Sequence, residues 1–253
     1  MILIPGLGAS RRFFDPLVDD LARDHRVITV DLPGHGDRPA PERVPDLHEC
    51  AAELRRVIDG LGEERVSLVG WSLGATVAWT YLSEFGEDRV RRLVSVEQTP
   101  WLVTGPDWRY AAFGSLDEQG AQILLADVER DCGAFVETLV TSSFADRTEP
   151  DPALLGRLVA EGRRADPAAI HGLLSDVLKQ DWRDRVGAIG VPTLLIHGRR
   201  SRVYPPQVGA WLAGAMPDAR VEFLEDSGHL CFLEESRRFS TVLRDFLTTE
   251  EKA

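Results

Sequence analysis

Gly70-Trp71-Ser72-Leu73-Gly74 lies between an apolar run, VSLVG, and a segment with helical periodicity, ATVAWTYLSEF. A serine between glycines at a strand-to-helix junction is a means of making a nucleophile. The turn is too tight for a Cβ on either side, it holds the serine in a strained conformation, and it lifts the hydroxyl above the sheet at the positive end of the following helix. The plain alternative is an ordinary strand-to-helix turn. A serine at its free pKa is a poor nucleophile and needs a base. Of the six histidines, His25, His48 and His171 stand in polar or helical surroundings, His35 in the turn-rich DLPGHGDRP, and His197 at a strand end. His229, in EDSGHLCFLEE, follows the last strand-like run and precedes the last helical one, so its loop opens at the same sheet end as Ser72 and makes it the expected base.

Acyl transfer also needs two fixed donors for the developing oxyanion. The backbone N–H of Leu73, next to the nucleophile, is one choice. The N–H of Leu7 in IPGLGAS is the other, because Gly6 and Gly8 let that loop turn inward; both glycines would equally serve a simple turn. Trp71 either lines the acyl pocket or packs. With Trp101 and Trp108 it forms the expected substrate pocket, apolar or aromatic in character.

These residues need a frame that carries them to one edge. Short runs, apolar on both faces, occur at 2–6, 26–32, 65–71, 90–98, 192–198 and 220–225, with helical patterns between them. The segment 47–61 puts Leu47, Ala51, Leu54, Val57, Ile58 and Leu61 on one face, and 235–247 repeats that pattern. Strand–helix alternation implies an α/β protein with parallel strands joined by right-handed crossovers. About ninety residues separate the strand ending near Glu97 from the one beginning near Pro192, too long and too apolar a stretch for a loop. The expected organisation is a core of residues 1–98 and 188–253 with a helical cap, 99–187, inserted between two core strands; an independent second domain is the alternative.

Composition narrows the class. Hydrophobic residues make up 43% of the 253, and 41 acidic against 29 basic residues give a net charge of −12. That balance disfavours nucleic acid and anionic membranes as partners and favours a small-molecule substrate. No run reaches the length of a membrane span, and MILIPG carries no basic leader. Three scattered cysteines, Cys50, Cys132 and Cys231, fit a reducing cytoplasm, the expected location. Without CxxC or HExxH spacing a metal site has no sequence support, and no cofactor is expected.

Taken together, IPGLGAS, DLPGHGDRP, GWSLG and SGHLCFLEES resemble the α/β-hydrolase family over nearly the whole chain. The resemblance implies the α/β-hydrolase fold, a mostly parallel sheet of about six strands flanked by helices with a helical cap. It also implies serine-esterase chemistry on a small ester, thioester or lactone. Two departures from the family pattern stand out. The family has one or two strands before the one that opens this chain, so an edge of the sheet is expected to be exposed or covered by a partner, and an oligomer is possible. The family's acid usually sits after the strand LLIHG, at or near Ser201, yet no carboxylate lies between His197 and Pro206. Some members carry the acid one strand earlier, which here is Glu97, at the end of VRRLVSVEQ. A carboxylate there would be poorly solvated without a partner, and the His229 imidazole is a suitable one. A strand-end glutamate bonded to amides or to Arg199 or Arg202 is the alternative; Glu225 and Asp226 are the other acids near His229. The arginines at 199–202 either hold an acidic substrate group or form a solvated rim.

Two further functions are compatible with the same frame. One is a cofactor-independent oxygenase, lyase or cyclase using His229 as base on the substrate; those oxygenases tend to carry a second histidine beside the elbow serine, where this chain has Leu73. The other is a small-ligand receptor without turnover.

Overall fold

Runs of leucine and β-branched side chains with no polar alternation form stable strands only when both faces of the sheet are covered. The computed structural model of the protein describes residues 1–249, and its elements meet that condition. In chain order they are β1 (Ile2–Ile4), α1 (Asp15–Leu21), β2 (Ile28–Thr29), α2 (Leu47–Gly60), β3 (Val66–Trp71), α3 (Leu73–Phe85), β4 (Val90–Val96), α4 (Glu118–Ser142), α5 (Pro152–Gly162), α6 (Pro167–Lys179), β5 (Thr193–Gly198), α7 (Gln207–Ala215), β6 (Ala219–Leu224), α8 (Cys231–Glu234) and α9 (Ser236–Thr248). All six expected runs become strands, and every pairing is parallel, in the order β2-β1-β3-β4-β5-β6. The edge strand β2 is two residues long, and so short an edge offers little template for pairing with another chain.

Helix α1 packs against α9, and α2 against α3. Because the β1-to-β2 crossover runs opposite to the others along the sheet, right-handed connections put these two pairs on opposite faces. Helix α2 starts where the Asp46 carboxylate accepts the Glu49 N–H at 2.8 Å. It buries Leu47, Cys50, Ala51, Leu54 and Ile58. Helix α9 buries Phe239, Val242, Leu243 and Phe246 on a single stripe, each side chain stabilising the fold by about 1.5–3 kcal/mol. Helices α4, α5 and α6 lie between β4 and β5 in the chain and pack on one another. Asp131 breaks α4, and its carboxylate caps the second half through the Ala134 N–H.

The strand order reverses direction between β1 and β3, and loops leaving the two strands diverge at that switch point and open a crevice at their carboxyl ends. Ile4 is in register with Gly70, so the IPGLG and GWSLG loops meet there. Their approach is close. A Cβ on Gly74 would lie 2.2 Å from the Ile4 carbonyl oxygen, and one on Gly70 would lie 2.5 Å from the Ala75 nitrogen. The IPGLG loop is also held from beneath. Buried His35 accepts the Gly8 N–H at Nε2 (3.1 Å), while its Nδ1 donates to the Pro33 carbonyl (3.1 Å). The same turn meets the helical insert, where Asp166 N donates to the Gly34 carbonyl at 2.7 Å.

Two outcomes follow. Gly74→Ala forces a Cβ into backbone that has no room to shift, and should lower unfolding stability by about 3 kcal/mol in a urea titration. Burial lowers the His35 pKa from 6.5, against the opposing pull of the Pro33 carbonyl, Asp31 and Asp166. Above that value the ring is neutral in both states. As pH falls below 6.5 the unfolded chain takes up a proton that the folded chain resists, so stability falls with pH. The drop in urea midpoint between pH 8 and pH 5.5 should be smaller in His35→Gln than in the unsubstituted protein.

Candidate active site

Ser72 stands at the β3–α3 junction with φ 54° and ψ −124°, a left-handed conformation that costs an L-residue about 1–3 kcal/mol and persists because its surroundings fix it. Its N–H donates to the Val96 carbonyl at 2.9 Å. Gln98 Nε2 donates to the Ser72 carbonyl at 3.0 Å and to Thr76 Oγ1 at 2.6 Å. The elbow is therefore tied to the end of β4 as well as to β1. Leu73 opens α3, so its N–H lacks an intrahelical acceptor. Among the described residues neither that N–H nor the one of Leu7 has a hydrogen-bond acceptor, and both residues line the cavity that contains Ser72.

His229 lines the same cavity. Its backbone is fixed by donation from His229 N to the Ser143 carbonyl (2.8 Å) and by the Trp71 indole N–H donating to its own carbonyl (2.9 Å). Glu234 holds the loop from outside by accepting the N–H groups of Gly228 and Ala145, both at 2.8 Å. The ring packs against Trp71 and Tyr204, each at a centroid distance of 5.4 Å.

Glu97 supplies the carboxylate on this ring. Its Oε2 accepts from His229 Nδ1 at 2.9 Å and from the Ser201 hydroxyl at 2.7 Å, and Oε1 accepts the Gly198 N–H at 2.8 Å. The side chain is fully buried. Burial works to raise its pKa, but the adjoining His197 and His229 imidazoles outweigh that and hold it down at about 2. His197 Nδ1 is 3.5 Å from Oε1, outside hydrogen-bonding geometry, which leaves His229 as the hydrogen-bonded imidazole. With Nδ1 donating to Glu97, the His229 nitrogen left to accept a proton is Nε2. The other acids near this loop point elsewhere: Glu225 pairs with Arg199 at 3.3 Å and Asp226 with Arg200 at 2.7 Å. Arg202 donates to the Phe144 and Thr141 carbonyls. The arginines of 199–202 thus form a partnered rim.

The cavity holds about 330 Å³; leucines such as Leu102, Leu116, Leu124 and Leu139 line it with Phe113 and Phe135, and Asp127, Arg130 and Asp131 add charged groups to the wall. Of the three tryptophans expected there, Trp71 lines it and Trp101 and Trp108 do not. Trp108 packs edge-on against Tyr110 and Trp211 at 5.3 and 5.1 Å, with its indole N–H donating to the Trp101 carbonyl. The Trp101 ring lies over Gly105 and under the Arg183 guanidinium, 4.3 Å away. Trp108 is buried where the insert meets α7, and Trp101 is half-buried against Gly105 and Arg183 within the insert, so neither faces the cavity. Gln98, Ser201 and Tyr204 belong to the site without having been singled out in the sequence. Gln98 could have been sought as the polar residue flanking the acid, and Ser201 as the residue standing where the family's acid usually falls; nothing local marks Tyr204.

Across 97% of this chain and 92% of its own length, a pimeloyl-[acyl-carrier protein] methyl ester esterase of Neisseria meningitidis is 29% identical. The crystal structure of a bromoperoxidase from Bacillus anthracis superposes with a TM-score of 0.91 at 26% identity, covering 98% of this chain and 91% of that one. An esterase from Exiguobacterium antarcticum, also at a TM-score of 0.91 and over the same shares, is 24% identical and shares the fold. The alpha/beta hydrolase fold family model matches residues 1–236, and the chain belongs to that family.

Proposed function

We propose that the protein is a serine hydrolase that cleaves a small carboxylic ester through an acyl-enzyme on Ser72, with thioesters and lactones within reach of the same chemistry. The observation that carries this reading is the hydrogen bond between Glu97 and the His229 imidazole beside an elbow serine in one cavity. Ser72 Oγ attacks the carbonyl carbon and its proton passes to His229 Nε2. The carbonyl electron pair moves onto oxygen, held by the Leu7 and Leu73 N–H groups. Collapse expels the alcohol, which takes the proton from His229. Water, deprotonated by the same nitrogen, then releases the acid and restores Ser72. Glu97, ionised throughout the working pH range, fixes the ring and stabilises the imidazolium. The leucine-rich walls suit an aliphatic group, and the esterase names of the relatives support an ester as the bond cleaved.

The likeness to a protein named a bromoperoxidase supports keeping a second, non-hydrolytic reading, for which we propose His229 as a base on the substrate with Ser72 only hydrogen-bonding to it.

Treatment with a fluorophosphonate and mass mapping of the adduct separates the two. Rapid labelling of Ser72, lost in His229→Ala, is the expected result. An unlabelled Ser72 in a protein that still binds ligand points instead to base chemistry or to a receptor. Glu97→Gln should remain folded, losing about 1–3 kcal/mol because the amide cannot accept from all three donors. Its turnover should fall by about 10⁴-fold, since the imidazole loses its tautomeric lock and its counter-charge. Turnover at the unsubstituted rate would remove Glu97 from the mechanism.

A further inference from the structure

Tyr204 is a buried phenol that the mechanism above leaves unused. It lies six residues past the end of β5 in a loop that Ser201 shapes. The Ser201 hydroxyl donates to Glu97 Oε2 at 2.7 Å and accepts the N–H groups of Val203 and Tyr204, both at 3.3 Å. Pro205 and Pro206 then restrict the chain beyond it. One serine hydroxyl therefore couples the carboxylate that orients His229 to the backbone that aims Tyr204. The phenol ring stands edge-on to the His229 imidazole at 5.4 Å. The side chain lines the cavity together with Ser72. Burial and, after it, the Glu97 charge push its pKa up, against a weaker downward pull from the Ser72 hydroxyl on the same cavity wall.

A buried tyrosine ordinarily turns its hydroxyl toward a polar group, and the cavity that Tyr204 lines is the one that holds the Ser72 hydroxyl. We propose that Tyr204 is a catalytic residue whose hydroxyl donates a hydrogen bond to Ser72 Oγ when that oxygen carries negative charge. This rests on the reading of Ser72 as a nucleophile. Charge builds on Oγ twice: as its proton leaves for His229 before the bond to the carbonyl carbon is complete, and as that bond breaks in deacylation before the proton returns. No proton leaves the phenol in either step. With its pKa pushed up, Tyr204 stays protonated where His229 works, so it acts as a donor and not as a second base. A donor of this kind, fixed before the reaction, acts on the charged state more than on the ground state, so it raises kcat without tightening substrate binding.

The test uses Tyr204→Phe, which keeps the ring against His229 and removes one oxygen, and Tyr204→Leu, which removes the ring as well. The probes are a p-nitrophenyl ester and a fluorophosphonate. For Tyr204→Phe the expected result is a 10- to 100-fold fall in kcat with KM within about twofold. Ser72 labelling should slow by a similar factor, and neither the thermal midpoint nor the pH at half-maximal kcat should move. If the unsubstituted protein is not labelled at Ser72, the nucleophile reading fails first. If it is labelled, and Tyr204→Phe matches it in both assays while Tyr204→Leu is slow, the ring serves packing and the proposal is overturned. A Tyr204→Phe that turns over faster than the unsubstituted protein overturns it too, by making the phenol a restraint on the serine.

Discussion

A fully buried carboxylate is the constraint around which this molecule is arranged. An ionised group without partners in a dry interior would be too costly to keep, so each of its oxygens must be met. Glu97 achieves this with donors from three separate parts of the chain: the Gly198 N–H at the end of β5, the Ser201 hydroxyl in the following loop, and the His229 ring after β6. To present the carboxylate there its backbone adopts φ 50°, an unfavourable left-handed conformation for a residue with a Cβ. The strain is retained because Glu97 N is also bound, to the Ile196 carbonyl. Removing any of the three donors leaves charge exposed to an apolar core, so the loops after β4, β5 and β6 are held in mutual register by electrostatics as well as by the sheet.

The second constraint is steric and acts at the other half of the site. At the β1/β3 switch point two loops approach until glycine is the residue that fits. The strained serine is held over β1 on one side, while Gln98 fastens it to β4 on the other. The donors offered by Leu7 and Leu73 come from these two loops, so their spacing is set by the sheet. His35 extends the arrangement outward, linking the Leu7 loop to the turn that touches the helical insert.

How much could be read from the sequence follows from the range of the interactions. The central strands β1, β3, β4 and β5 were legible because they are largely buried on both faces, a property of a few consecutive residues. The elbow was legible because tight turns demand glycine locally. Glu97 was legible through the family resemblance: the loop after β5, where the family usually carries its acid, has no carboxylate, some members carry it one strand earlier, and a glutamate ending VSV there has to find a partner. Trp101 and Trp108 misled because aromatic content marks burial without saying against what: Trp108 packs against Trp211 of α7 and Trp101 against Gly105 and Arg183. Tyr204 escaped notice, and Ser201 was noted only as the place of the missing acid, because their roles depend on a loop conformation set by a residue more than a hundred positions away. Gln98 sits beside the acid, but its tie to Ser72 exists only once β3 and β4 are side by side.

Two imidazoles flank Glu97, and the geometry selects between them. His197 lies in β5 with its ring fully buried. Gly209 of α7 packs so tightly on it that an added Cβ would come within 2.8 Å of the ring. Its Nδ1 falls short of hydrogen bonding to Oε1, and among the described residues neither ring nitrogen has a hydrogen-bond partner. A ring so enclosed has no path to a substrate proton. His229 sits on a loop instead of a strand, held at its backbone by Ser143, Trp71 and, through Gly228, Glu234, with its ring on the cavity wall. The carboxylate can lower the energy of a positive charge on either ring. At His229 that stabilisation coincides with a place on the cavity wall that Ser72 shares, and this coincidence, more than proximity to the acid, supports the proposal that His229 is the base.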